Sequence, residues 1–142
     1  MILPDVNVLV YPHGRNTQGH RLLRRWLEDV VEADQAYALS ELVLSGFIRV
    51  VTHPRIFREP SSLDDALAFV EQLLGQPNCV LVQPGPRHWD IFVGLCRKAS
   101  ARGNLVPDAF FAALAIEAGC EWITTDRDFA RFEGLRWRHP LR

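Results

Sequence analysis

The sequence predicts an α/β domain on a mainly parallel, twisted sheet of four to five strands flanked by helices. Short apolar runs such as "AYAL" and "EWITT" alternate along the chain with longer segments of helical period, which is the pattern of strands joined by crossover helices. The helical segments carry start and stop residues at their ends. At 142 residues with 48% hydrophobic and 23% charged, the chain has the size and composition of one ordinary domain, expected to span residues 1–142.

Taken in order, residues 2–5 read as a short buried strand, and "NVLVYP" continues as a helical turn until Pro12 and Gly14 end it. From Gln18 to about Ala33, Leu22, Leu23, Trp26, Leu27, Val30 and Val31 recur at three-and-four spacing among charges, the signature of an amphipathic helix. After the very short strand "AYAL", the segment "SELVLSGFIRVVTHP" reads as a buried helix with Ser40 as its N-cap and Pro54 as its stop; its length outweighs its β-branched content. "PSSLDDALAFVEQLLGQP" is the clearest helix, with Ser61 or Ser62 to cap it, acids in its first turn and Gly75 after the last periodic position. "CVLVQP" reads as a fully buried strand and "RHWDIFVGLCRKASA" as a helix. "VPDAFFAALAIEAG" is a helix with Pro107 at its first position and Gly119 as terminator. The strand "EWITT", a turn at "DRDF" and a short strand near "LRWR" come last, and no repeat, low-complexity tract or linker interrupts the series.

Composition narrows the function classes. No apolar run approaches the ~18 residues that cross a bilayer, and the opening segment lacks a basic n-region and is broken by Pro4 and Asp5, unlike a secretory signal. A cytoplasmic protein with no membrane contact is expected. Cys79, Cys96 and Cys120 are odd in number, widely spaced and set in apolar contexts, so buried free thiols are expected rather than a disulfide or a zinc site. A formal net charge of -1 gives no whole-molecule positive field, so any contact with nucleic acid must be local.

Asp5 is the anomaly. It lies between "MIL" and "VNVLVY", where an ionised side chain is costly unless it is paired, hydrated or holding a cation. Three more acids occupy related positions: Glu41 opening a helix, Asp108 in the first turn of another, and Asp126 just after "EWITT". In a parallel α/β sheet the C-terminal strand ends and the helix N-termini share one edge, so the four can converge. Each has a simpler explanation. Glu41 and Asp108 sit where the helix dipole favours any carboxylate by about 0.3–1 kcal/mol, and Asp126 and Asp128 can cap the turn that follows. Gathered together, such acids repel one another and need a cation. Hard oxygen ligands suit Mg²⁺ or Mn²⁺, and the scarcity of nearby Cys and His disfavours zinc. A site of that kind binds a phosphate oxygen and activates water, which points to hydrolysis of nucleic acid.

The motifs "PDVNVLVY", "SELVLSGFIRVVT", "NLVPDAFFAALAIEAG" and "WITTDRDFARFEGLRW", in that order and spacing, resemble the PIN-domain ribonucleases and among them the VapC-type toxins of toxin–antitoxin pairs. The resemblance implies a PIN fold, a Mg²⁺ or Mn²⁺ centre, endonucleolytic cleavage of RNA (tRNA or rRNA being the family's usual targets), a VapB-type antitoxin partner, and a homodimer or a heterotetramer or larger assembly with it. Carried over by position, Asp5 and Asp108 are the principal metal ligands, Asp126 completes the site, and Glu41 binds a second metal or orients the attacking water. Asn7 either holds the Asp5 carboxylate or starts the following turn; Asp128 either reaches the metal through water or starts a helix. Ser40 reads as a cap, and Thr124 and Thr125 need no reason beyond their strand-end position. Pro4, which removes a backbone donor, suggests a local irregularity or a sheet edge.

Two groups of cations could neutralise RNA phosphates: Arg127, Arg131, Arg136, Arg138, His139 and Arg142, and Arg49, His53, Arg55 and Arg58. A solvated face with ordinary ion pairs accounts for them equally well. The apolar faces of residues 22–31 and 42–51 serve either a partner interface or the monomer core. Two other readings compete. A phosphoryl-transfer domain with a nucleophilic aspartate wants a lysine near the phosphate, and the only lysine is Lys98, in mid-helix. A catalytically silent PIN module binding RNA or a protein partner has no need to keep all four acids.

Overall fold

In the computed structural model, which describes residues 1–13 and 18–142, five short strands form one sheet: β1 Ile2–Pro4, β2 Tyr37–Leu39, β3 Cys79–Leu81, β4 Glu121–Ile123 and β5 Trp137–Arg138, in the order β3-β2-β1-β4-β5. Every pairing is parallel. β4, whose direction the sequence leaves open, lies in register with β1 at Ile2↔Glu121, Leu3↔Trp122 and Pro4↔Ile123. The chain therefore builds outward from β1 on one side, then crosses to its other side. The end of β1 is the point where strand order reverses, and open parallel sheets bind ligands at that point.

Among the described residues six helices join the strands: α1 Val6–His13, α2 Gln18–Glu32, α3 Glu41–Val51, α4 Leu63–Leu74, α5 His88–Lys98 and α6 Leu105–Ala118, with a 3-10 turn at Arg127–Arg131. Ser40 holds extended backbone and its hydroxyl accepts the Leu42 N–H at 3.2 Å, starting α3. Ser62, rather than Ser61, does the same for α4 through the Asp65 N–H at 3.1 Å. Gly119 ends α6 at φ 68°, a left-handed conformation that glycine adopts without a Cβ penalty.

α6 begins two residues before the position predicted, so Pro107 is its third residue and not its first. The first-turn N–H groups of a helix have no intrahelical partner, so proline fits there as well. Pro12 lies inside α1, which ends at His13; Gly14, the other expected stop, lies outside the described residues. β3 is not fully buried. It is an edge strand, paired to β2 alone, and Val80 and Leu81 are 40% and 44% exposed. Pro4, by contrast, sits in the central strand. The Asp5 N–H donates to the Ile123 carbonyl, so by alternation the donor that Pro4 lacks would face β2, and there the ladder is confined to Ile2↔Tyr37.

The core is built on Leu3, Leu39, Phe47, Leu114 and Trp122, all at most 1% exposed. Ala109, Ala112, Ala113 and Ala115 let α6 lie close to the rest of the core. Of the apolar residues predicted on α2 and α3, Leu23, Leu27, Val43, Leu44, Phe47 and Val51 are buried, Trp26, Val30, Val31, Ile48 and Val50 are half-buried against the core, and Leu22 and Leu42 face outward. The three thiols are free, Cys120 buried and Cys79 and Cys96 half-buried. Glu117 ties the start of α5 to α6 by accepting the Gly85 and Arg87 N–H groups at 2.6 and 2.8 Å. Phe129 stands 5.4 Å from Trp122 and 5.8 Å from Phe132, which pins the 3-10 turn to the core beside β4.

Candidate active site

β1 passes into α1 through one residue, Asp5, which is 6% exposed. Its Oδ1 accepts the N–H of Val6, the first residue of α1, at 2.7 Å. Its Oδ2 accepts the Thr124 hydroxyl at 2.7 Å and the Asn7 amide at 3.2 Å. These donors do not outweigh its surroundings. Burial pushes the Asp5 carboxyl up from 3.8 to about 6, against the lowering by Thr124 and Val6, and the charge of Asp126 adds to the rise.

Thr124 joins the ends of β1 and β4. Fully buried, it donates to Asp5 and accepts the Asp126 N–H at 3.0 Å. Asn7 reinforces the junction, since its Oδ1 accepts the Thr125 N–H at 3.3 Å while its Nδ2 faces Asp5. Asn7 thus touches the Asp5 carboxylate and is also the second residue of α1, so the two roles open to it in the sequence are compatible.

Asp108 lies in the first turns of α6, half-buried, with its carboxyl raised from 3.8 to about 6. Burial is the main cause, followed by the charges of Asp126, Asp5 and Asp128. Asp5, Asp108 and Asp126 thus share one electrostatic field, although they are drawn from β1, α6 and the end of β4. Asp126 also caps the 3-10 turn, its Oδ1 accepting the Asp128 N–H at 2.9 Å. Its other oxygen, Oδ2, makes no hydrogen bond among the described residues.

Glu41 stands apart. It opens α3, is exposed, accepts the Gln83 amide at 3.1 Å, and is not among the charges that shift Asp5 or Asp108. Gln83 escapes sequence reasoning altogether, since nothing marks a loop glutamine as a partner for a residue 42 positions away. Thr124 escapes for a related reason. Threonine is common at strand ends, and only the pairing of β1 with β4 gives it Asp5 as a neighbour.

The donor set fits a hard cation of a particular kind. Among the described residues no three Asp, Glu, His or Cys side chains close tightly enough to cage an ion. Nor does any cation pair with Asp5, Asp108 or Asp126, the ion pairs of the described residues being Arg24–Glu28, Lys98–Glu133 and Arg138–Glu121. Mg²⁺ does not require a cage; it is typically held by one or two carboxylates and keeps several waters. Two raised, mutually repelling carboxyls without a counter-charge suit such an ion.

The PIN domain family model matches residues 2–135. A protein named VapC ribonuclease Mb2897, from Mycobacterium bovis, is 46% identical over 141 residues, covering 99% of this chain and 96% of its own. Ribonuclease VapC25 of Mycobacterium tuberculosis is 42% identical over 140 residues, covering 99% of each. Among solved structures, VapBC2 from Rickettsia felis, bound to a DNA fragment from its promoter, superposes with a TM-score of 0.71 over 98% of each chain at 17% identity, a likeness of fold.

Proposed function

The chain belongs to the PIN domain family, among the VapC ribonucleases, and we propose that it cuts RNA internally as the toxin of a VapBC-type pair, at a Mg²⁺ or Mn²⁺ site held by Asp5 and Asp108 with Asp126 beside them. One observation carries the reading: a carboxylate 6% exposed at the point of strand reversal, sharing its field with Asp108 and Asp126 and lacking any cationic partner among the described residues.

A divalent cation bound there supplies Lewis acidity toward a phosphate oxygen and lowers the pKa of water. The protein's own part is positioning. Thr124 and Asn7 fix both the rotamer and the lone pairs of Asp5. Asp108 presents its carboxylate from a rigid helix, and Asp126 keeps Oδ2 free for water. Glu41, at the rim, orients the attacking water or serves a second ion. The domain takes in residues 1–142. The partner is a VapB-type antitoxin, the toxin pairs as a homodimer within a heterotetramer or larger complex, and the substrate is a structured RNA such as tRNA or rRNA. No helix among the described residues is long and apolar enough to cross a membrane.

Incubating the purified protein with mixed cellular RNA tests this directly. Cleavage in Mg²⁺ that EDTA stops is the expected result; equal cleavage in EDTA would refute the metal mechanism, and binding without cutting would favour a silent module. A subtler expectation concerns Thr124→Val, which keeps the shape and removes the donor to Asp5. Groups that orient a metal ligand are typically worth about 10–100-fold in activity, so kcat/KM should fall by about that much with the fold intact. An unchanged rate would remove Thr124 from the site.

A further inference from the structure

The basic C-terminal stretch is not one surface, because the sheet sends its cations to opposite ends. β5 runs parallel to β4, with Trp122↔Trp137 and Ile123↔Arg138 in register. At the start of β5, Arg136 donates from Nη2 to the Gly119 carbonyl at 2.9 Å, and Arg138 turns back to Glu121 at 2.7 Å. Both guanidiniums are therefore committed to the rim where β4 begins. Past β5 the chain arrives at the other rim, where the Thr124 N–H donates to the Arg138 carbonyl at 3.1 Å. His139 follows directly, and the chain then folds over buried Pro140, with the Arg142 N–H on the His139 carbonyl at 3.2 Å. Arg127 opens the 3-10 turn that follows the end of β4, next to Asp126, and its charge, like that of Arg142, is felt at His139.

We propose that Arg127, His139 and Arg142 form a subsite for an RNA phosphate next to the one that is cut, an assignment that rests on the nuclease reading above. Arg127 and Arg142 are exposed and neither has a carboxylate partner within an ion pair among the described residues. Exposed guanidiniums outside any ion pair are open to an anion, and guanidinium matches phosphate with two parallel hydrogen bonds. His139 completes the set as a donor. Its Nδ1 accepts the Leu141 N–H at 3.2 Å, which leaves the proton on Nε2, facing away from that bond. Burial, then the charges of Arg142 and Arg127, hold its pKa below the ordinary imidazole range, so it contributes a neutral N–H and the two arginines contribute the charge. A chain of net charge -1 needs local cations to hold a polyanion near an acidic centre, and no ion pair among the described residues ties these cations to Asp5, Asp108 or Asp126.

The test measures binding of a fluorescein-labelled single-stranded RNA of randomised sequence, by anisotropy from 50 to 300 mM KCl, with Asp108→Asn present throughout to prevent cutting. For single strands the salt slope falls by about 0.7 for each phosphate that is no longer neutralised. Arg127→Gln and Arg142→Gln should each lower the slope by about that amount, and Arg136→Gln should not. With Asp108 restored, the same two variants should raise KM for a cellular RNA substrate with little change in kcat, and the rise in melting temperature caused by Mg²⁺ should be unaltered. Slopes and KM equal to the parent's would overturn the subsite and leave the cluster to an acidic protein segment, while cutting by the parent protein would keep the nuclease reading. A drop in slope for Arg136→Gln as large as for the other two would overturn it too. A parent that neither cuts nor binds RNA would fell both.

Discussion

Asp108→Asn will abolish RNA cleavage and make the metal-free protein more stable. Asn has the size and shape of Asp but neither the charge nor a second acceptor oxygen for a cation. Losing a ligand of the ion that stabilises the transition state should lower the rate by on the order of 10³-fold or more. Stability should move the opposite way. Burial and the charges of Asp126, Asp5 and Asp128 raise the Asp108 carboxyl to about 6, so at pH 7.5 its ionised form opposes folding. No side-chain hydrogen bond to Asp108 is present among the described residues to disappear with the charge. Because the side chain is only half-buried, solvent screens much of the repulsion, and a gain of about 1 kcal/mol is a discounted figure. For a domain of this length that is about 3 °C in melting temperature. Initial rates on cellular RNA and thermal melts in EDTA read the two effects separately. A variant that still cuts would take Asp108 out of the metal site, and one that melts lower than the parent would refute the raised carboxyl.

That opposition between activity and stability is also why parts of the site were readable from sequence. Asp5 announces itself, because a carboxylate inside an apolar strand conflicts with local pattern, and such conflicts mark functional positions. Glu41, Asp108 and Asp126 carry no conflict. Each sits where a helix or turn welcomes an acid, and Asp126 does cap its turn. They are candidates through the expected sheet edge and the family resemblance; in the fold the charges of Asp5, Asp126 and Asp128 act on Asp108, whereas Glu41 is exposed and holds Gln83. What the sequence could not supply is long-range pairing. Thr124 meets Asp5 across 119 residues, and only the parallel register of β1 with β4 brings them together. The same lack hid the edge position of β3, since a run such as "CVLV" reads alike whether one or two strands flank it. Alternation of strands and helices gives the α/β class and four to five strands because local period sets element type; strand order depends on packing that local period does not encode.

Without metal, the protein should become more stable as pH falls from 7.5 toward 5, and Mg²⁺ should reverse that trend. The sign follows from proton counting. The Asp5 carboxyl titrates at about 6 in the folded chain, against an ordinary 3.8, so between those values the folded state holds more protons than the unfolded one. Stability therefore increases as pH drops through 6, is fully present below about 4, and is lost as pH rises through 6. The raised carboxyl corresponds to about 3 kcal/mol for Asp5, with a smaller share from the more exposed Asp108. A cation binds the deprotonated carboxylates and competes with those same protons. At 100 times its Kd, Mg²⁺ adds about 2.7 kcal/mol at pH 7.5, and that increment should shrink to nothing near pH 5. Melting temperature against pH, in EDTA and in Mg²⁺, should give two curves that converge at low pH. Glu117, held low because its two backbone N–H bonds outweigh the raising effect of burial, contributes with the opposite sign, so the decisive quantity is the parent curve minus that of Asp108→Asn. That subtraction cancels every carboxyl the two proteins share, Asp5 included, and leaves the share of Asp108 with its coupling to Asp5 and Asp126. If the difference is flat with pH, Asp108 is not a raised carboxyl; if the parent's Mg²⁺ increment survives unchanged at pH 5, the raised carboxyls are not what holds the ion.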